Sequence, residues 1–147
     1  LTQVAGRAGR GSTPGRVVVQ SYHPDHHAVA CASRHDVAAF ADVELRFREA
    51  FRYPPFARMA LVRFESASER AGREGAEGAS AAVAAEGVRI VGPALAPIAR
   101  LRGKWRFQFM LLANARGPLR AALASVRDLR VPRGVHRIID VDPLTTV

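Results

Sequence analysis

The run Lys104–Ala113, KWRFQFMLLA, constrains the fold most. Trp105, Phe107, Phe109 and Leu111 alternate with Lys104, Arg106 and Gln108, a period of two that only a strand satisfies. One face of that strand is apolar and must be covered. Met59–Glu65 alternates in the same way around Ala60, Val62 and Phe64. Val88–Val91 reads as a short strand, and Val135–Val141 as a last one closed by Asp142-Pro143. A helix capped by Ser66 or Ser68 is expected to run to about Ala85. A second is opened by Pro118 in its first turn, with Leu119, Leu123 and Val126 on one face. The order is β-α-β-β-α-β, that of a split-βαβ plait, so the fold class is α+β. Two helices would cover one face of a four-stranded sheet. The other face would be open or packed on a neighbouring domain.

The connections follow from turn chemistry. Gly92-Pro93 to Arg100 reads as an irregular connection, and Arg102-Gly103 as a turn. The helix after Ser68 contains Gly72, Gly75 and Gly78, each costing on the order of 1 kcal/mol relative to alanine. It should depend on packing and be the least stable element.

The amino-terminal third has a different character. Residues 1–11 read as a loop end and a short helix, and Ser12-Thr13-Pro14-Gly15 as a turn. Residues 16–22, RVVVQSY, form a β-branched run without alternation, the pattern of a strand buried on both faces of a parallel sheet. His23, His26 and His27 could suggest a metal. No carboxylate or cysteine completes a set at a recognised spacing, and a polar helix start capped by Asp25 is the favoured reading. A short helix over 28–33 and a longer one from about His35 to Phe51 follow, the latter with Val37, Phe40, Glu44, Phe47 and Phe51 on one stripe. Tyr53-Pro54-Pro55-Phe56 stops it. Three parts result: 1–22, the end of an α/β lobe; 23–56, a helical connector; and 57–147, an accessory domain.

The net charge of +9 over 147 residues comes from 21 arginines and Lys104. It favours a polyanionic partner, nucleic acid or an acidic peptide, although an arginine-rich genome bias would inflate the same number. Cys31 is the single cysteine, which excludes an internal disulfide and a multi-cysteine zinc site within these residues. It reads as a small buried hydrophobe. No apolar run is long enough to span a membrane, and a cytoplasmic protein is expected.

The chemistry-bearing motif is Gln3-Val4-Ala5-Gly6-Arg7-Ala8-Gly9-Arg10. Arg7 and Arg10 sit one helical turn apart, so two permanently charged forks point the same way. Such forks suit the neutralisation of a transferring γ-phosphate; the bland alternative is a glycine-rich loop touching phosphate backbone. The motif has no phosphate-binding loop before it, so the chain reads as the tail of a larger ATP-driven machine and should be inactive alone.

The QVAGRAGR string resembles motif VI of superfamily-2 helicases. With it stand Gly15–Tyr22, Tyr53–Phe56, Gly92–Ile98, Leu101–Gln108 and Asp140–Pro143. Taken in order, these segments resemble the C-terminal end of the PriA family of bacterial replication-restart helicases, over essentially the whole chain. The resemblance implies an ATP-dependent 3′–5′ DNA helicase that assembles the primosome at stalled forks. It implies that Arg7 and Arg10 are catalytic fingers, that Gln3 and Gly6 join them around ATP and Mg²⁺, and that residues 1–22 end a RecA-like lobe. It further implies a last domain like ribosomal protein S10 that contacts forked or single-stranded DNA, other primosome proteins and the acidic tail of single-stranded-DNA-binding protein. Lys104, Arg106 and Gln108 are the expected partner-binding residues. The family's zinc site lies in an earlier insertion, so no metal ligand is expected in this chain. A non-catalytic binding module of a restart protein with a degenerate motor is the alternative.

Two readings of the third strand compete. Trp105, Phe107 and Phe109 could stack bases, but their continuation into Leu111 favours core. The face with Lys104, Arg106 and Gln108 is the better binding candidate, with a simple solvated face the alternative. Asp140 and Asp142 share a strand face and fit an Asp-Pro turn better than acid–base work.

Overall fold

The computed structural model describes residues 1–8 and 15–144. The chain divides into two compact units, Leu1–Arg48 and Glu49–Val147.

The first unit is helical. Helix α1 spans Thr2–Ala5, α2 His27–Ser33 and α3 Val37–Ala50, the last turn of α3 running into the second unit. The α2 cap is His26 rather than Asp25: the His26 ring nitrogen Nδ1 accepts from the Ala28 amide at 3.2 Å. An imidazole nitrogen two residues before that amide serves the orphan donor as a carboxylate would. Asp36 does the same for α3, accepting from Ala39 at 2.9 Å. Cys31 is buried, as its composition class suggested. His27 stacks on Phe40 with ring centroids 5.7 Å apart, and its Nε2 meets Glu44 Oε2 at 3.2 Å. Glu44, the one polar residue of the α3 stripe, thereby joins Phe40 in tying α3 to α2.

Residues 16–22 are not a buried strand. They form no regular element, and Val18 is 81% and Tyr22 100% exposed. Burial of a parallel strand needs neighbours on both edges and helices on both faces. Among the described residues of this unit no strand supplies them.

The second unit carries the sheet. Strand β1 spans Arg58–Ser66, helix α4 Glu69–Ala81, β2 Val88–Leu101, β3 Lys104–Ala113, helix α5 Arg116–Asp128 and β4 Val135–Val141. The sheet order is β2-β3-β1-β4, with every neighbouring pair antiparallel. This gives the expected β-α-β-β-α-β plait, with β1 and β3 at its centre. Ser68, through its hydroxyl, caps α4 on the Ala71 amide. The α4 helix stops at Ala81, short of the expected Ala85.

The core lies between the helices and one sheet face. Val62 and Phe64 from β1 and Phe107, Phe109 and Leu111 from β3 are at most 4% exposed. They meet Ala76 and Ala79 of α4 and Leu119, Ala122 and Val126 of α5. Trp105 packs at the edge of this cluster. The aromatic face of β3 is therefore core, not a stacking platform. Phe64 and Phe109 stack with centroids 6.2 Å apart across the central ladder.

Gly72 and Gly75 of α4 have a packing role that composition hides. A Cβ on Gly75 would lie 3.2 Å from Val135 Cγ1 and 3.3 Å from Phe64 Cδ1. The helix approaches the sheet so closely that a methyl there would force Val135 or Phe64 to give by a few tenths of an ångström.

Strand β2 is longer than expected. It continues through Gly92-Pro93 to Leu101, with register shifts between Val91 and Ala94 and between Leu95 and Arg100. Bulges of this kind absorb a proline and a glycine while the strand stays paired. Arg102 and Gly103, both with positive φ (49° and 78°), make the two-residue turn that returns the chain into β3.

Candidate functional site

Strand parity decides which side chains share the face turned away from the helices. Cross-strand partners place Leu61, Arg63 and Glu65 of β1 beside Met110, Gln108 and Arg106 of β3, and beside Asp140, Ile138 and His136 of β4. Two parts of this face are covered. At one end Met59, Leu61 and Leu112 are buried. There Arg89 of β2 donates to the Phe51 carbonyl at 2.7 Å and lies over the Tyr53 ring, fastening the Pro-Pro segment. At the other end the bulged part of β2 reaches Arg106, whose Nη1 donates to the Ile98 carbonyl at 3.4 Å.

Between these ends sits a polar centre. Arg63 donates from Nε and Nη2 to Gln108 Oε1, at 3.0 and 2.9 Å. Glu65 Oε1 lies 3.4 Å from Arg106 Nε, an ion pair not aligned as a hydrogen bond, and Nε has no other partner. Arg63 and Gln108 are half-buried, while Ile138, His136 and Asp140 are exposed. Burial is the largest cause that lowers the Arg63 pKa from its ordinary value; the Arg106 charge adds to it, while Glu65 and Asp140 oppose. A guanidinium in that position stays charged at neutral pH. The centre thus sets two guanidiniums, Arg63 and Arg106, against the carboxylates Glu65 and Asp140.

The structure thus sorts the three expected partner residues. Lys104 is half-buried on the open face and Gln108 lies at its centre, but Arg106 is only 6% exposed and is engaged by the domain itself. Parity placed Arg106 on the correct face; it could not say that β2 curls over it. Arg63 was missed by sequence reading. The available signal was its shared parity with Leu61 and Glu65 on β1.

The motif residues lie in the other unit. Gln3 belongs to α1, and Gly6 and Arg7 continue it as a turn, with Gly6 N bonded to Thr2 O and Arg7 N to Val4 O. Gln3, Gly6 and Arg7 are exposed. Gln3 thus sits on the helix and Arg7 in the turn that ends it. Arg10 lies outside the described residues. Among the described residues no three His, Cys, Asp or Glu side chains converge on a point where a metal ion could sit.

Residues 49–144 match the family described as primosomal protein N C-terminal domain. The chain belongs to that family. This PriA C-terminal domain is 36% identical over 151 aligned positions to the replication restart protein PriA of Treponema pallidum, an alignment that takes in 100% of the chain. It is 33% identical to the proteins of the same name from a Synechocystis species and from Bacillus subtilis, over 99% and 97% of the chain. The chain spans about a fifth of the length of these relatives (23%, 18% and 18%). The family match covers the whole sheet of the PriA C-terminal domain, while Gln3, Gly6 and Arg7 fall outside it and are reached by the longer alignments.

Proposed function

We propose that the chain is the C-terminal part of an ATP-dependent 3′–5′ DNA helicase that restarts stalled replication forks. The observation that carries this reading is the alignment of the entire chain, motif included, with replication restart proteins. In this reading residues 1–22 close a RecA-like lobe whose other strands lie elsewhere in the protein, which accounts for the unpaired, exposed 16–22 run. Residues 57–147 are the ribosomal-protein-S10-like accessory domain.

The motif residues fit a shared nucleotide site. Gln3 on a short helix and Arg7 in the turn after it present exposed donors, and Arg7 has no acidic partner among the described residues. Bound ATP with Mg²⁺ would supply the phosphoryl group to be transferred. Arg7 and Arg10 neutralise the charge that builds on that group, Gln3 donates a hydrogen bond beside it, and Gly6 lets the backbone come close. In the intact protein Arg10→Ala should cut ATP turnover by about 10³-fold or more while leaving nucleotide-free DNA affinity nearly unchanged. A variant that hydrolyses ATP normally but loses DNA binding would sink the finger role and favour a backbone contact.

The open sheet face fits an acidic peptide. Lys104, Arg63 and Gln108, with Arg106 behind them, supply cations and an amide for carboxylates, and exposed Ile138 supplies an apolar neighbour. The acidic tail of single-stranded-DNA-binding protein is the proposed ligand. Its affinity should fall as salt rises, because exposed charges are screened beyond about 8–10 Å.

A further inference from the structure

The two helices covering the sheet carry their charge differently. On α4, Arg70 pairs with Glu74 and Arg73 with Glu69, each at 2.7 Å and four residues apart, and Glu77 leaves the helix slightly acidic. On α5, the loop after it and the start of β4, residues 116–137 contain six arginines and one acid, Asp128. Asp128 is spent on Arg127 at 2.9 Å. Arg116, Arg120, Arg130 and Arg133 are exposed and have no ion pair or hydrogen bond among the described residues. A genomic bias toward arginine acts on both helices alike. It does not explain why α4 neutralises every arginine while α5 leaves two of its three open.

The arrangement is held, not loose. Arg116 and Arg120 are four residues apart and stand to one side of the buried Leu119, Ala122 and Val126. Exposed Gly117 and Ala121 beside them keep the approach low. Arg137 donates to the Arg127 carbonyl at 2.6 Å and the Leu129 carbonyl at 2.8 Å. It thereby closes the end of α5 and fixes the start of the loop that carries Arg130 and Arg133. No large exposed hydrophobic residue lies within 116–134. A protein partner would need apolar or aromatic anchors there, whereas a phosphate backbone needs only forks and access.

We infer that α5 and the α5–β4 loop form a nucleic-acid backbone surface, built on Arg116, Arg120, Arg130 and Arg133, on the layer opposite the proposed peptide face. The inference rests on the reading of the chain as part of a DNA-acting protein and assigns its DNA contact. Such contacts position nucleic acid without reading sequence, and each phosphate neutralised on duplex steepens the salt dependence by about 0.9 in log K against log salt.

The test uses the 147-residue chain, fluorescence anisotropy and a labelled forked DNA across a salt series. The variant with all four arginines changed to alanine should bind at least about 10-fold more weakly at low salt, with a salt slope shallower by about two to four. The variant Arg70→Ala/Arg73→Ala controls for net charge and should bind like wild type. An equal loss in log K per arginine removed in both variants would mean bulk charge and would overturn the surface. Unchanged affinity and slope in the fourfold variant, with native circular dichroism, would also overturn it while leaving the helicase reading intact. That reading stands or falls on the ATP turnover of the intact protein. Loss of binding to a labelled acidic peptide but not to DNA would overturn the inference in favour of a protein partner.

Discussion

Arg63 and Gln108 are directly opposite on the two central strands, and Arg63 closes both Nε and Nη2 onto the single oxygen Oε1 of Gln108. The glutamine thus orients a guanidinium from another strand. Gln108→Ala removes that acceptor. It should cost about 1–2 kcal/mol in urea unfolding, since hydrogen bonds to charged groups are worth about that when partly buried. Binding of a labelled acidic tail peptide should weaken with it, and in Arg63→Ala to a similar degree. Peptide affinity equal to wild type in both variants would remove this pair from the peptide site.

Arg106 calls for a different expectation from Lys104. Its guanidinium is buried and Glu65 is the carboxylate beside it. Breaking a buried pair strands the surviving charge, so Glu65→Ala should destabilise the domain by about 2–4 kcal/mol. Arg106→Met, which removes the charge and keeps the volume, should cost less than Glu65→Ala. Lys104→Ala should leave the unfolding midpoint almost unmoved. A reversed ranking in denaturant titrations would show that Arg106 is not held by Glu65.

Two glycines of α4 should respond to alanine in opposite directions. At Gly78 a new Cβ meets nothing within 4 Å. Gly78→Ala should therefore stabilise by about 0.5–1 kcal/mol through helix propensity and a stiffer unfolded chain. Gly75→Ala gains the same propensity but drives a methyl against Val135 and Phe64. Overpacking of this kind costs about 1–3 kcal/mol, so the net change should be destabilising. Thermal unfolding of the two variants side by side would decide, and a stabilised Gly75→Ala would mean that α4 can lift from the sheet without loss.

Acid should loosen the α2–α3 pair. The hydrogen bond from Arg48 is the largest cause holding the Glu44 carboxyl below its ordinary value of 4.5; burial opposes it and His27 adds to it. A carboxylate with a lowered folded pKa contributes stability that is fully present above the ordinary value and is lost as pH falls through the lower, folded one. Glu44 is partly exposed, so the contribution is roughly 0.5–1 kcal/mol after screening. Glu44→Gln should show faster amide exchange in α2 at neutral pH and a weaker further loss on acidification. Identical pH profiles for wild type and variant would remove Glu44 as the link.

Alternation made the sheet readable. Strands β3 and β4 have the bounds that the apolar period implied, because a half-buried strand writes its burial into every second residue. The Gly92–Arg100 stretch was opaque for the opposite reason: bulges break the period while the pairing persists, so its strand character exists only against β3. The 16–22 run carries the composition of a buried strand, yet burial belongs to an assembly of strands and not to a heptapeptide. The candidate peptide face was half legible. Lys104 and Gln108 follow from parity, but the partnership of Gln108 with Arg63 spans 45 residues, and the cover over Arg106 depends on where a bulged strand bends.

The polar centre draws its members from β1, β3 and β4, with β1 as the shared strand. A slip of β1 by one residue would exchange Arg63 for Val62 or Phe64, sending the cation into the oily interior and an apolar side chain out to water. No misaligned sheet can keep a weakened version of the centre. Binding of the proposed acidic peptide there would therefore be all-or-none, and would certify that the central ladder has closed in its one correct alignment.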